Sequence, residues 1–282
     1  MKNDIIPEYL YHYTNIDKLA MILKGKNFRF GNLRYLDDIE EGKTADKQQY
    51  AKYCFASSWT DEKDESIPMW KMYNENMNGV RIGLPSNLFP YYEIPKHDIL
   101  NELIRAGCDI SRIDIGDGIK SPVPVNEFFN EHYNFSPSLF SGVEQIKIDY
   151  SNEEQTVNPM ISSVTDGQLF VLLGSIGKVK RECWKFQREW RYMIRIYPES
   201  FVDLWGDLTM RTYNSVVNFC PELPESVRTA YYLKCDDDKF AKMEIILGPK
   251  MNEGHKDIVR LLLKEYCPSA KISESTLCDK IR

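Results

Sequence analysis

A histidine at the centre of a short polar, aromatic segment is the first feature of the sequence that could do chemistry. The segment is Tyr11-His12-Tyr13-Thr14, and its alternating aromatic side chains predict a strand. A histidine in such a strand is often structural, so its type and position alone leave a catalytic role and a packing role open.

Aromatic side chains at helical spacing are the second feature. Trp70 and Tyr73 lie three residues apart in the predicted helix that follows the segment FASSW, which contains Ser57 and Ser58. Residues three apart share one face of a helix. That face is either part of the core or an aromatic wall for a planar ring, and the spacing does not decide between them.

A carboxylate between two polar side chains is the third feature. In an extended strand, alternation places Gln187, Glu189 and Arg191 on one face, opposite Trp190 and Tyr192. The group could form a site or be a solvated charged face. The acidic loop 37–41 likewise has two interpretations, as metal ligands or as a group that caps or orients a helix.

Composition excludes several classes of protein. The 282 residues carry a net charge of −6 and 43% hydrophobic side chains, which predicts a globular protein without an overall attraction for nucleic acid. No apolar run reaches the roughly 18 residues of a membrane span, and no secretory signal is recognisable, so we expect a cytoplasmic protein. The seven cysteines and four histidines form no ligand cluster, so no metal site is predicted. Phosphate-loop, GxGxxG and GxSxG motifs are absent.

The elements that must position these residues are predicted from hydrophobic periodicity. A helix over 17–24 has Leu19, Ile22 and Leu23 on one face and Gly25 as its stop signal. Further helices are predicted at 68–76, 98–106, 167–182 and 255–266. Strands are predicted at 10–13, 28–31, 53–58, 79–84, 145–150, 189–196, 244–247 and 270–272. The mixture without strict alternation indicates an α+β fold with a largely antiparallel sheet in a single domain, 1–282. The proline-rich stretch 85–142 is predicted to be an insertion or a set of long loops.

Taken together, the ordered segments resemble a bacterial family called domain of unknown function 2971. The segments are LYHYTNIDKLAMILKGKNFRFGNLRYLDDIEEG, YCFASSW, MWKMYNENMNGVRIGL, KFQREWRYMIRI and IILGPKM. The resemblance runs from Leu10 almost to the C-terminus and is weakest over 85–142.

The opening strand and helix are also similar to those of the ADP-ribosyltransferase superfamily, in which a histidine before a threonine is followed by an L..IL..G pattern. This resemblance implies a split antiparallel sheet with flanking helices. It also implies that His12 and Glu189 are catalytic, with Gln187 and Glu189 corresponding to the superfamily's Q-x-E motif. The middle catalytic position is assigned to Tyr73, although Tyr35, Ser57 and Ser58 are alternatives.

The implied substrate is NAD, whose nicotinamide–ribose bond breaks through an oxocarbenium-like state. Glu189 would bind the ribose 2′-hydroxyl and face the developing positive charge. His12 would hold the adenosine ribose, Tyr13 or Tyr73 would stack on nicotinamide, and Arg191 or Arg81 would pair with the pyrophosphate. The remaining residues expected to contact NAD are Thr14, Ser57, Ser58, Trp70 and Gln187.

The resemblance therefore implies an NAD-consuming ADP-ribosyltransferase or NAD glycohydrolase, in the manner of a bacterial toxin or a phage-defence effector. One alternative is a non-catalytic module on the same fold that binds a nucleotide or a protein partner. Another is a nucleic-acid-modifying enzyme or RNA 2′-phosphotransferase, which would use the basic run Lys178, Lys180, Arg181 and Lys185. The first interpretation requires that His12 and Glu189, 177 positions apart, border the same cavity.

Overall fold

The computed structural model describes residues 5–46, 49–105, 116–128, 132–135, 143–165, 168–171, 173–198, 225–226 and 228–281. Its helices are α1 (Ile16–Gly25), α2 (Ile67–Tyr73), α3 (Lys96–Arg105), α4 (Val125–Phe128), α5 (Glu154–Val157), α6 (Asp237–Phe240) and α7 (Glu253–Tyr266). The strands up to residue 121 are β1 (Tyr9–Thr14), β2 (Asn27–Asn32), β3 (Cys54–Thr60), β4 (Val80–Pro85), β5 (Tyr92–Pro95) and β6 (Gly118–Ser121). The later strands are β7 (Tyr133–Phe135), β8 (Glu144–Lys147), β9 (Asp149–Tyr150), β10 (Ser162–Thr165), β11 (Gln168–Val171), β12 (Val179–Lys180), β13 (Glu189–Pro198), β14 (Ala230–Lys234), β15 (Glu244–Leu247) and β16 (Lys271–Glu274).

Ten of these strands form one sheet. Seven follow the order β14-β2-β3-β1-β4-β15-β16, and β13 joins at β3 and carries β7 and β8. Within this sheet only β15 and β16 run parallel to each other. The predicted α+β class is confirmed, and the predicted antiparallel character describes most of the pairings. None of the described helices is both long and apolar enough to cross a bilayer.

The sheet is nearly divided between β1 and β3. β1 pairs with β4 along its whole length, but it meets β3 only where Tyr11 lies opposite Thr60. β3 pairs instead with β13, from Glu189 opposite Thr60 to Arg195 opposite Cys54. Because β1 and β13 flank this junction, the fold brings the chain around His12 close to the chain around Glu189.

The first helix forms where periodicity predicts it. Asn15 caps its N-terminus by accepting a hydrogen bond from the Lys18 backbone N–H, and the predicted apolar face is buried. The predicted stop at Gly25 is one residue early, because Lys26 takes the left-handed conformation with φ of 44°. A Cβ at position 25 would lie 2.5 Å from Nδ2 of Asn27, so the Asn27 side chain would have to shift if Gly25 were replaced.

The predicted helix over 167–182 is wrong. The chain forms an antiparallel hairpin of β10 and β11, a 3₁₀ turn at Leu173–Ser175, and β12. Valine and phenylalanine favour strands before residue 172, and Gly174 and Gly177 weaken a helix after it. Gly177 has φ of +74°, a conformation that a helix does not use.

The region 85–142 contains more structure than its prolines suggest. β5 and β6 pair antiparallel, and α3 matches the helix predicted at 98–106. α4 and β7 follow, and β7 pairs with the far end of β13. Parts of this region, 106–115, 129–131 and 136–142, lie outside the described residues. This region therefore adds one strand, β7, to the main sheet, while β5 and β6 form a separate two-stranded sheet.

Candidate functional site

A cavity of about 420 Å³ opens at the junction of β1 with β3. α1, β2 and residues 180–187 contribute to its wall. The volume falls within the range of small-molecule sites. The lining residues are His12, Tyr13, Thr14, Lys18, Met21, Ile22, Asn27, Phe28, Arg29, Gly31, Tyr35, Leu36, Asp37, Asp38, Glu41, Ala56, Ser57, Ser58, Tyr73, Lys180, Trp184, Gln187 and Tyr232.

His12 enters this cavity as a neutral hydrogen-bond acceptor. Its Nδ1 lies 2.9 Å from the Ser58 carbonyl oxygen, and a carbonyl can only accept, so Nδ1 carries the proton. Burial between the rings of Phe28 and Trp59 lowers the pKa of His12 to about 4. Nε2 is therefore unprotonated at neutral pH and can accept a hydrogen bond from a hydroxyl group.

Glu189 begins β13 and is only 3% exposed. Its Oε1 accepts a hydrogen bond of 2.6 Å from Nε of Arg191, and its Oε2 lies 2.7 Å from Nζ of Lys180. Its backbone N–H donates to the Tyr150 hydroxyl at 2.8 Å. The carboxylate is thus held on both oxygens by buried positive charges.

A second cavity of about 60 Å³ brings Glu189 and His12 together. It shares five lining residues with the large cavity, namely His12, Tyr13, Ser58, Tyr73 and Gln187. Its other lining residues are Tyr11, Trp59, Met69 and Glu189. His12 borders both cavities, whereas Glu189 borders the small one. The two side chains therefore face a common space beside the larger cavity.

A chain of hydrogen bonds of fixed polarity links Lys180 to Tyr73. Lysine can only donate, so the 3.1 Å contact of Nζ makes Oε1 of Gln187 the acceptor. Nε2 of Gln187 then donates to the Tyr73 hydroxyl oxygen at 2.7 Å. The Tyr73 hydroxyl can direct its own proton to another acceptor, such as a bound ligand. Burial and the charge of Glu189 raise the pKa of Tyr73, so its hydroxyl stays protonated.

Four buried charges form a closed network behind the cavities. Glu41 pairs with Arg191 through Oε1, and its Oε2 lies 3.6 Å from Nζ of Lys180, which also contacts Glu189. Burial alone would lower the pKa of Lys180, but the charge of Glu189 and the contact with it outweigh burial and raise it. Since two carboxylates face two cations, the network is neutral overall.

Three predicted NAD contacts do not line either cavity in the described part of the chain. Arg191 is fully buried in the charged network. Arg81 donates to the Lys63 carbonyl at 2.8 Å and lies over the Tyr11 ring at 3.9 Å. Trp70 packs edge-on against Tyr13 at 4.8 Å. These side chains support residues of the cavity wall, while the predicted Thr14, Ser57 and Ser58 lie in the wall itself.

The basic run predicted for nucleic-acid binding crosses β12 and a 3₁₀ turn at Glu182–Gln187, and its cations are paired. Lys178 pairs with Glu144, and Arg181 with Glu40 and Glu154. Lys185 pairs with Glu182, and Lys180 joins the buried network. Because each cation already faces a carboxylate, the run presents no continuous positive surface.

Lys180 and Glu41 are site residues that sequence reasoning did not assign. Glu41 belongs to the acidic loop 37–41, where Asp37 and Asp38 also line the cavity. Within the described ranges, no three His, Cys, Asp or Glu side chains are grouped so that they could hold a metal ion. The acidic and basic side chains of the buried network come from segments that are distant in the chain. No local sequence signal therefore marks their contact.

Comparison with known proteins gives no relative. The sequence matches no protein-family model, and neither the curated proteins nor the solved structures contain a significant match.

Proposed function

We propose that the protein consumes NAD, as an ADP-ribosyltransferase or an NAD glycohydrolase. The observation that carries the proposal is that His12, Tyr73 and the pair Gln187 and Glu189 come from three separate parts of the chain and border one small cavity. That cavity shares five wall residues with a larger cavity of about 420 Å³. The resemblance of the quoted segments to the domain of unknown function 2971 family and to ADP-ribosyltransferases supplies the reaction class and the split-sheet fold as part of this proposal.

The reaction divides NAD at the bond between the ribose C1′ and the nicotinamide nitrogen. The bonding electron pair leaves with the nitrogen, which neutralises the pyridinium ring and leaves an oxocarbenium-like ribose. Water attacks C1′ and loses a proton, giving ADP-ribose in the glycohydrolase reaction. In the transferase reaction an acceptor nucleophile takes the place of water. Glu189 would accept a hydrogen bond from the ribose 2′-hydroxyl and stabilise the positive charge that develops beside it.

His12 and Tyr73 have complementary parts in the proposal. Nε2 of His12 is an acceptor for a ribose hydroxyl, because Nδ1 is committed to Ser58. The Tyr73 hydroxyl is a donor, because its oxygen already accepts from Gln187. A ribosyl ligand offers both hydroxyl donors and oxygen acceptors, so this pair suits it.

The test is release of nicotinamide from NAD by the purified protein, followed by chromatography. We expect turnover in the wild type and a loss of at least about 100-fold in Glu189→Gln, since the charge facing the oxocarbenium is removed. Glu182→Gln is the matched control, because Glu182 forms an exposed pair with Lys185. Absence of nicotinamide release with water and with macromolecular acceptors, and of NAD binding, would contradict the proposal.

A second candidate is a non-catalytic module that binds a nucleotide. The observation that favours it is that both oxygens of Glu189 already face buried cations, an arrangement that suits a structural carboxylate. Binding measured by calorimetry, together with the nicotinamide-release assay, separates the two candidates. The module would bind NAD or ADP-ribose without releasing nicotinamide, and Glu189→Gln would lower its stability rather than a rate.

A further inference from the structure

Lys180 is the cation of the buried network that borders the large cavity. Its Nζ lies 2.7 Å from Oε2 of Glu189 and donates to Gln187 at 3.1 Å. Arg191, which holds Oε1 of the same carboxylate, borders neither cavity. One of the two cations on Glu189 is therefore open to a ligand, and the other is part of the core.

In this arrangement Lys180 opposes the reaction proposed above. It occupies the Glu189 oxygen that faces away from Arg191, where a ribose hydroxyl would bind. A fixed positive charge at this point would also repel the positive charge that develops on the ribose. Cleavage thus requires Lys180 to move, while Arg191 can keep Glu189 in place through Oε1.

We infer that the pyrophosphate of the substrate draws Lys180 away from Glu189, so that Lys180 makes cleavage depend on a phosphate-bearing substrate. The inference rests on the proposed function. A lysine has a flexible stem and binds phosphate as a point charge, so Lys180 can exchange the Glu189 carboxylate for a phosphate oxygen in the large cavity. The stem lies beside Trp184, with Nζ 5.2 Å from the centre of that ring, and Trp184 lines the same cavity.

The other charged residues of the cavity wall limit where a phosphate can bind. Lys18 and Arg29 line the wall and form no ion pair with a described residue. Asp37, Asp38 and Glu41 line it as well, so the lining residues carry no net positive charge. An anion is therefore favoured only beside one of the cations. The cations available to a pyrophosphate in this cavity are therefore Lys180, Lys18 and Arg29.

The test compares three substrates that release nicotinamide and differ in phosphate number: NAD, nicotinamide mononucleotide and nicotinamide riboside. In Lys180→Met, kcat/KM for NAD should fall about 10- to 100-fold, the effect of losing one charged hydrogen bond. Nicotinamide riboside should be cleaved at least as fast as by the wild type, because Glu189 no longer needs to be released. An equal fall for all three substrates would overturn the inference.

A second variant keeps the test informative if the apolar side chain of Lys180→Met prevents folding. Lys180→Gln retains a polar partner for Glu189 and should lower the affinity for ADP-ribose about tenfold, measured by calorimetry. Unchanged affinity would overturn the inference. Lys178→Met is the matched control, because Lys178 is paired with Glu144 outside the cavity. If the wild type releases no nicotinamide from any substrate, the proposed function fails, and the ADP-ribose affinities still test whether Lys180 contacts phosphate.

Discussion

At the scale of the residue, the site is built from charges that are buried together. Glu41, Glu189, Lys180 and Arg191 each have little or no exposed side chain, and they alternate in sign around the network. Burying a charge is costly unless it is paired, and removing one partner leaves the other uncompensated. The arrangement fixes the position of Glu189 and makes it sensitive to substitutions of its neighbours.

Arg191→Met should destabilise the protein strongly. The Arg191 guanidinium contacts both Glu41 and Glu189 and also donates to the Gly177 carbonyl at 3.0 Å. We expect the free energy of unfolding in urea to fall by about 3–5 kcal/mol. Adding Glu41→Gln should recover part of the loss, because one unpaired carboxylate becomes neutral. A loss below about 1 kcal/mol, or no recovery in the double variant, would contradict this account.

His12 should make the protein sensitive to acid. Burial lowers the pKa of His12 to about 4, below its ordinary 6.5, so between these values the unfolded chain binds the proton more readily. Stability is therefore lost as pH falls through this window, by up to about 3 kcal/mol. His12→Asn keeps a donor for the Ser58 carbonyl but cannot titrate. Urea unfolding from pH 7 to pH 4 should show a smaller loss of stability for the variant, and parallel curves would refute the assignment.

At the scale of the element, the sequence predicts the structure that local signals determine and misses the structure that long-range contacts determine. β1, α1 and β13 follow from periodicity and capping, and with them the positions of His12 and Glu189 in the chain. The helix predicted at 167–182 is wrong because the conformation of residues 173–182 is set by Gly177 and by contacts with the 37–41 loop. No helix or strand is predicted over 183–187. Lys180 and Gln187 lie in these two stretches, so their meeting with Glu189 and Tyr73 could not be foreseen. Arg81 and Trp70 are residue types that could contact NAD, but tertiary packing buries both side chains behind the cavity wall.

α2, which carries Tyr73, should depend on the C-terminal segment. Glu65 precedes α2 and accepts hydrogen bonds from Trp70 and from Ser275 and Thr276 near the end of the chain. Glu65→Ala should lower the free energy of unfolding by about 2 kcal/mol, since several bonds to one carboxylate are lost. Hydrogen exchange of the amides of α2 should accelerate, while that of α7 stays unchanged.

The matched control for this prediction is Glu253→Ala, at a glutamate that pairs with Lys256 on the exposed side of α7. It should change neither the stability nor the exchange of α2 appreciably. Equal exchange of α2 in Glu65→Ala and in the wild type would mean that the C-terminal segment does not hold this helix.

At the scale of the whole molecule, the cavity lies where the two parts of the main sheet meet. One part contains β1 and β4, the other β3 and β13, and only Tyr11 and Thr60 pair across the boundary between β1 and β3. The cavity wall draws residues from both parts, among them His12 and Ser58. A ligand that fills it would contact both parts at once, so its binding should be linked to the stability of the whole fold.

ADP-ribose should therefore raise the melting temperature. A ligand that binds only the folded protein adds about 2.7 kcal/mol of stability at a concentration of 100 times its Kd. For a protein of this size that corresponds to an increase in Tm of about 5 °C. Calorimetric scans with ADP-ribose measure the shift, and Tyr73→Phe should reduce it because the hydroxyl that can donate into the cavity is lost. Since the effect requires binding but not turnover, a shift without nicotinamide release would favour the binding module, and no shift at saturating ADP-ribose would exclude this cavity as a site for the nucleotide.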